Sequence, residues 1–289
     1  MSGDESPSAT LPTAWRRLIL VVAACISVGI SLPILANASN WPFDDWYLFV
    51  DAGQRILAGQ SPYTSDPSGV SFRWSPIVAI FFALIASVGP WVWTAFSLVS
   101  LALLKHSVWI VGFLLAWPFW RDVETGASFW YVPLAALLVL RGSLAAGFAF
   151  GVLTVLVPRP MMLPILGWLL WQRPQQRVLV LAGGASAVAA SLVTGFGTDW
   201  VTYLLRVAGD SETAFTRISP RNFLGALWVL LPIVGIWLTL RGRLGLAALA
   251  VSPYWTPAYL LILILDVVPW RDRATTPETS RGALPGEDS

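Results

Sequence analysis

The chain has 289 residues, 56% hydrophobic and 12% charged, with 17 Trp and a formal net charge of +2. That balance reads as a polytopic membrane protein rather than a soluble domain, and it excludes a broad basic surface for nucleic acid. A single Cys (Cys25) and a single His (His106) exclude a disulfide framework and a multi-histidine metal site.

Residues 1–14 are polar and are expected to be disordered. Trp15-Arg16-Arg17 precede an apolar run, Leu18 to Ala36, with no small-residue cleavage site. This predicts an uncleaved first membrane helix with a cytoplasmic N-terminus. The polar stretch 37–75 then lies outside, and Trp41 to Pro76 holds four of the chain's 16 acidic residues.

Within that stretch Trp46, Phe49, Ala52, Gly53, Ile56 and Leu57 recur at helical spacing. They predict an amphipathic helix lying on the membrane surface. Asp44 or Asp45 is placed to cap its start, and Gly59 to end it as a C′ glycine. Asp51 and Arg55, four apart with the acid first, support its polar face. Asp45 is the odd residue, because it shares the apolar stripe with Phe49, Ala52 and Ile56. A carboxylate there is costly to desolvate and calls for a role beyond the surface. A structural role, as N-cap or as partner of Arg55 or Arg73, is the alternative.

Ser75 to Leu104 is apolar but broken at Gly89-Pro90, and Ser107 to Phe119 follows Lys105-His106. Either the first run crosses once and the second crosses back, or the first crosses twice and the second is re-entrant. A cytoplasmic Lys105 favours the first arrangement. Both leave Trp120 to Ser128 outside. Further spans are expected at Ala127–Leu140, Leu144–Val157, Met161–Trp171, Val178–Phe196, Phe223–Leu240 and Leu244–Val267, giving about nine transmembrane helices in all. Arg141, Arg173, Arg177, Arg241 and Arg243 then fall inside. Arg159 and the loop Gly197–Asn222 fall outside. Several spans are shorter than the ~20 residues of a straight crossing, which is tolerated where protein lines a cavity. Residues 270–289 are rich in Pro and charge, and are expected to be disordered and external. The fold class expected is all-α and integral to the membrane, with one helical-bundle domain over 15–269.

The outer side thus gathers the 37–75 loop, Trp120–Ser128, Arg159 and a last loop carrying Arg206, Asp210, Glu212, Arg217 and Arg221. Arginine forks recognise phosphate, and a carboxylate near a hydroxyl can act as a general base. For Arg159 the alternative is a side chain snorkelling to the interface. Trp41, Trp46 and Trp74 are candidates for stacking on sugar, although most Trp suits an interfacial belt. No P-loop, GxGxxG, HExxH or CxxC occurs, so no nucleotide, metal or other cofactor is expected.

The stretch DDWYLFVDAGQRILAGQSPY, followed by FRWSP, resembles the first external loop of glycosyltransferase family 87 (GT87). These are polyprenyl-phosphate-mannose-type enzymes of the GT-C fold. The matching positions are Asp45, Trp46, Phe49, Ala52, Ile56, Leu57, Gly59, Pro62, Tyr63, Phe72 and Pro76. Looser likenesses follow in order: LAAGFAFGVLTVLVPRP, SPRNFLGALW and LAVSPYWTPAYLLIL, so that the resemblance runs from about residue 40 to about residue 265. It implies a GT-C-like bundle that transfers a mannose-like sugar, with inversion, from a polyprenyl-phosphate donor on the extracytoplasmic side of the cell membrane. The acceptor would be a glycolipid or a cell-envelope glycan. Asp45 would be the general base, with Asp44 the neighbouring candidate. Substrate-binding candidates are Arg159, Tyr63, Arg73, Arg221, Asn222 and Glu124. The chain departs from the family's pattern at three places. The usual Gly-Gln pair after the fourth helix is missing, with Glu124-Thr125-Gly126 standing near there; Arg159 stands where Lys is common; and no His follows Ser252-Pro253. A non-catalytic relative acting as membrane scaffold or lipid-glycan binder is the alternative function.

Overall fold

The computed structural model describes residues 13–63, 72–105, 107–127, 129–209, 220–252 and 255–267. Among these the chain is helical and holds no strand. Of the termini expected to be disordered, 1–12 and 270–289 lie outside the described residues, as do 64–71, 210–219 and 268–269, whereas Thr13 and Ala14 open the first helix.

Proline sets where many helices start. Its φ is already helical and its missing N–H is not needed in the first turn. The elements are α1 (Thr13–Ala36), α2 (Asp44–Leu57), α3 (Pro76–Leu84), α4 (Pro90–Ser100), α5 (Ser107–Leu115) and α6 (Trp117–Glu124). Then come α7 (Tyr131–Leu140), α8 (Leu144–Leu156), α9 (Leu163–Gln172), α10 (Pro174–Val193) and α11 (Gly197–Gly209). The series ends with α12 (Pro220–Leu224), α13 (Leu231–Leu240), α14 (Leu244–Val251) and α15 (Ile264–Val267). Single 3₁₀ turns join several of them, and a longer 3₁₀ segment covers Pro257–Leu263.

The expected apolar helix in the 37–75 stretch is α2. Its stripe of Trp46, Phe49, Ala52, Gly53 and Ile56 is buried in protein. Phe82 of α3 meets Trp46 and Phe49 edge-on, at 5.2 and 4.7 Å between ring centroids. The two helices touch at Gly53, where an added Cβ would stand 2.1 Å from the Ala79 carbonyl oxygen. Leu57, assigned to the same stripe, is 62% exposed at the open end of the helix. The C-terminus is a Schellman motif: Gly59 has φ +74°, its N–H donates to Ile56 O, and Gln60 N–H donates to Arg55 O.

Other boundaries differ from the sequence reading. Ser107–Phe119 is not one piece. It breaks at Ala116, and the Trp117 N–H donates to Ser27 Oγ on α1. The polar run after it is helix α6 rather than loop. Gly197–Gly209, read as the start of a loop, is α11, with Trp200 and Tyr203 on its buried face. Leu244–Val267 is a hairpin rather than a single span. Asp266 accepts from the N–H groups of Gly245 and Leu246, which lays the end of α15 beside the start of α14. Val267 therefore lies near the Arg243 end of α14.

Among the described residues one helix, Pro174–Val193, is long and apolar enough to cross a bilayer alone. Val21–Ala36 with Ala38–Leu57 passes the same test as a pair bent by 62°. The remaining apolar helices are shorter. α10 packs closely on α8, with Gly151 against the Val180 carbonyl and Gly183 against that of Phe148. A buried hydroxyl pair, Ser75 with Ser191 at 2.6 Å, ties α10 to the start of α3.

Candidate functional site

Neither Asp44 nor Asp45 caps α2, as the sequence reading had it. The capping position is Phe43, held at φ 49°, with no side-chain cap. The exposed N–H groups go instead to the last turn of α6. Phe43 N–H donates to Glu124 O at 3.2 Å, and Asp45 N–H to Thr125 O at 2.9 Å. Gly126 makes this junction fit, because a Cβ there would stand 2.7 Å from Trp46 Cβ. With the backbone of α6 doing the capping, the Asp45 carboxylate is released to face inward. Burial pushes it above the usual carboxylate value; the Thr125 side chain and the Arg159 guanidinium pull it back, and Asp44 adds a further upward push. Asp44 itself is exposed.

Arg159 reaches this place from the bend between α8 and the Pro160–Met162 turn, in extended backbone between two prolines. Its Nη1 donates to the Tyr259 hydroxyl at 2.5 Å. The guanidinium carbon lies 5.2 Å from the ring of Phe129, 5.3 Å from that of Tyr259 and 5.8 Å from that of Trp74. Cation–π attraction of this kind favours the planar, weakly hydrated guanidinium.

A second carboxyl completes the cluster. Asp122, on the inner face of α6, is 3% exposed. Its Oδ2 accepts the Trp130 N–H at 2.7 Å. Burial pushes it up to about 7; the Trp130 and Phe129 N–H groups and Arg159 oppose this, while the charge of Asp45 adds to it. One guanidinium is thus within electrostatic reach of two acids held by the same α6–α2 junction. Such a set can bind an anion at the cation and remove a proton with the less buried acid.

The remaining sequence candidates are placed differently. Glu124 pairs with Arg121 at 2.7 Å, three residues back on α6. The Tyr63 hydroxyl donates to Trp74 O at 2.9 Å, its ring lies 5.7 Å from Tyr203, and burial holds its proton firmly. It joins α11 to the segment bearing Trp74. The Arg73 carbonyl accepts the Trp200 Nε1–H at 3.1 Å. Arg221 and Asn222 lie on α12, and their side chains are outside what the structure describes. Arg206 is exposed, and Asp210, Glu212 and Arg217 lie outside the described residues.

Sequence reasoning passed over Asp122, Phe129 and Tyr259. A signal for Asp122 existed: it falls three and four residues after Phe119 and Pro118, on the buried face of α6. Nothing local pointed to Tyr259. Among the described residues no three His, Cys, Asp or Glu side chains gather as a metal site requires. No protein-family model, curated protein or solved structure matches the chain.

Proposed function

We propose that the chain is an integral membrane glycosyltransferase of GT-C type. It moves a mannose-like sugar from a polyprenyl-phosphate donor to a glycolipid or cell-envelope glycan on the extracytoplasmic side. The observation that carries this reading is that Asp45 and Arg159, distant in sequence, come within electrostatic reach of each other in one partly buried cluster. In the reaction the acceptor hydroxyl gives its proton to Asp45. Its oxygen forms the new bond to the anomeric carbon, with inversion. The bond from that carbon to the phosphate oxygen breaks, and the lipid phosphate leaves with the electron pair, its charge steadied by Arg159. A multi-pass setting is supported by apolar side chains that face outward along three helices: Val21, Val22 and Ile26 on α1, Val178, Leu181 and Val193 on α10, and Ile233 and Ile236 on α13.

The test is sugar transfer from a polyprenyl phosphosugar in proteoliposomes, with Asp45→Asn and Asp44→Asn at matched expression. Asp45→Asn should cut turnover by about 10²–10⁴-fold and leave folding intact, because Thr125 and not the side chain caps the helix. Asp44→Asn should be mild. Wild-type turnover by Asp45→Asn would sink the mechanism.

One observation favours the second reading, a lipid-glycan binder without turnover. Arg159 already donates to Tyr259 and rests among three rings. On that reading Asp45→Asn binds the donor as wild type does, and neither protein transfers sugar.

A further inference from the structure

We propose that Asp122 is a positioning residue of this site, whose charge state sets how strongly Arg159 holds an anionic lipid phosphate. The inference rests on the assignment of Arg159 above. Asp122 is sealed from solvent and fixed by the Trp130 N–H, and the α6 turn that holds it also caps α2 under Asp45. Buried as it is, it acts through Arg159 and not on the reacting atoms.

Among the described residues the charged groups that act on it are Asp45, from α2, and Arg159, from the bend after α8. The Pro257–Leu263 segment brings Tyr259 to the other side of Arg159. While Asp122 carries its proton, the charges of Arg159 and Asp45 offset each other. Once Asp122 ionises, the cluster gains a negative charge, and an incoming phosphate meets an extra charge in a site of low dielectric. The burial of Asp122 puts this change near neutral pH, and the charge of Asp45 adds to the upward push. Linkage then requires the reverse: phosphate bound at Arg159 holds the proton on Asp122, so binding takes up a proton.

Binding of a polyprenyl phosphosugar to the full-length protein in nanodiscs tests this. The probe is a phosphodiester, so its own charge stays constant. Wild type should bind roughly tenfold more weakly at about pH 8.5 than at about pH 5.5, the effect of one unit of pKa difference between free and bound protein. Asp122→Asn, which can still accept the Trp130 N–H, should bind with the same affinity at both. Calorimetry of wild type in two buffers of different ionisation heat should show proton uptake near neutral pH, a readout that needs no variant. A wild-type affinity that ignores pH, or an Asp122→Asn protein that keeps the wild-type slope, overturns the inference while leaving Arg159 in place. Absence of binding at every pH removes Arg159 from the site and the inference with it.

Discussion

Gly53 offers a perturbation away from the chemistry whose size can be worked out. An alanine Cβ there would lie 2.1 Å from the Ala79 carbonyl oxygen and 2.6 Å from Ala83 Cβ, where ordinary contact begins at 3.4 Å. Neither atom can rotate away, so α2 must retreat from α3 by about an ångström. Overpacking of this kind costs about 1–3 kcal/mol, and the backbone clash argues for the upper end. Against it stands about 1 kcal/mol of helix propensity gained on replacing Gly by Ala. Gly53→Ala should therefore be destabilised by roughly 2 kcal/mol. Gly59→Ala is the control: no atom lies within 4 Å, but its φ of +74° is unfavourable for alanine, at a cost of about 1–2 kcal/mol. The two variants should melt at similar temperatures in detergent yet differ in sugar transfer. Displacing α2 misplaces Asp45, and a 1 Å error can cost on the order of 10²-fold. Gly59→Ala should transfer nearly as wild type does. A Gly53→Ala protein with wild-type melting and wild-type turnover would refute the close seating of α2 on α3.

Arg159→Ala should weaken donor binding by roughly 10–100-fold, the value of a charge-assisted hydrogen bond, while Arg159→Lys should retain part of it. Equal donor affinity in Arg159→Ala and wild type would exclude this role. Asp122 binds its proton more tightly folded than unfolded, so its contribution to stability is full below 3.8 and is lost as pH rises to about 7. That loss is up to about 4 kcal/mol at 1.36 kcal/mol per unit, and the melting temperature of Asp122→Asn should not show it between those pH values. Single-cysteine labelling in a Cys25→Ala background should place Gln60→Cys and Thr202→Cys on the outer face and Gln175→Cys on the inner; labelling of Gln60→Cys from the cytoplasm alone would reverse the topology.

Where sequence reasoning succeeded, the cause was local. The period of Trp46, Phe49, Ala52 and Ile56, the Asp51–Arg55 pair at 2.8 Å and the turn at Gly59 each depend on a few neighbouring residues. The capping of α2 depends on Thr125, far along the chain, and no local pattern reports a backbone acceptor. Asp44 and Asp45 therefore looked like caps when their side chains were not needed for it. The burial of α2 against α3 rather than lipid was hidden for a related reason. An apolar stripe reads the same whatever covers it, and Leu57 shows that the cover stops before the stripe does. The α14–α15 hairpin follows from Asp266, whose carboxylate reaches back to the start of α14. In the sequence it was only one acid in an apolar run.

The arrangement also couples the Asp45 carboxylate to the Arg159 cation through one helix. Phe49, one turn after Asp45 on α2, meets the Trp74 ring edge-on at 4.3 Å between centroids and 90° between planes. Trp74 is in turn one of the rings beneath the Arg159 guanidinium. A rotation or shift of α2 therefore moves the carboxylate directly and the guanidinium through the ring that supports it. Hydrophobic packing holds this relation more tightly than an exposed ion pair could, since buried contacts are not screened by salt. It also gives the arginine a reason to be an arginine. A guanidinium can rest its faces on Trp74 and Phe129 while its edge donates, whereas an ammonium on a flexible stem would keep the charge and lose the seat. The spacing of Asp45 and Phe49 on α2 is thus part of the site's geometry as much as the two charges are.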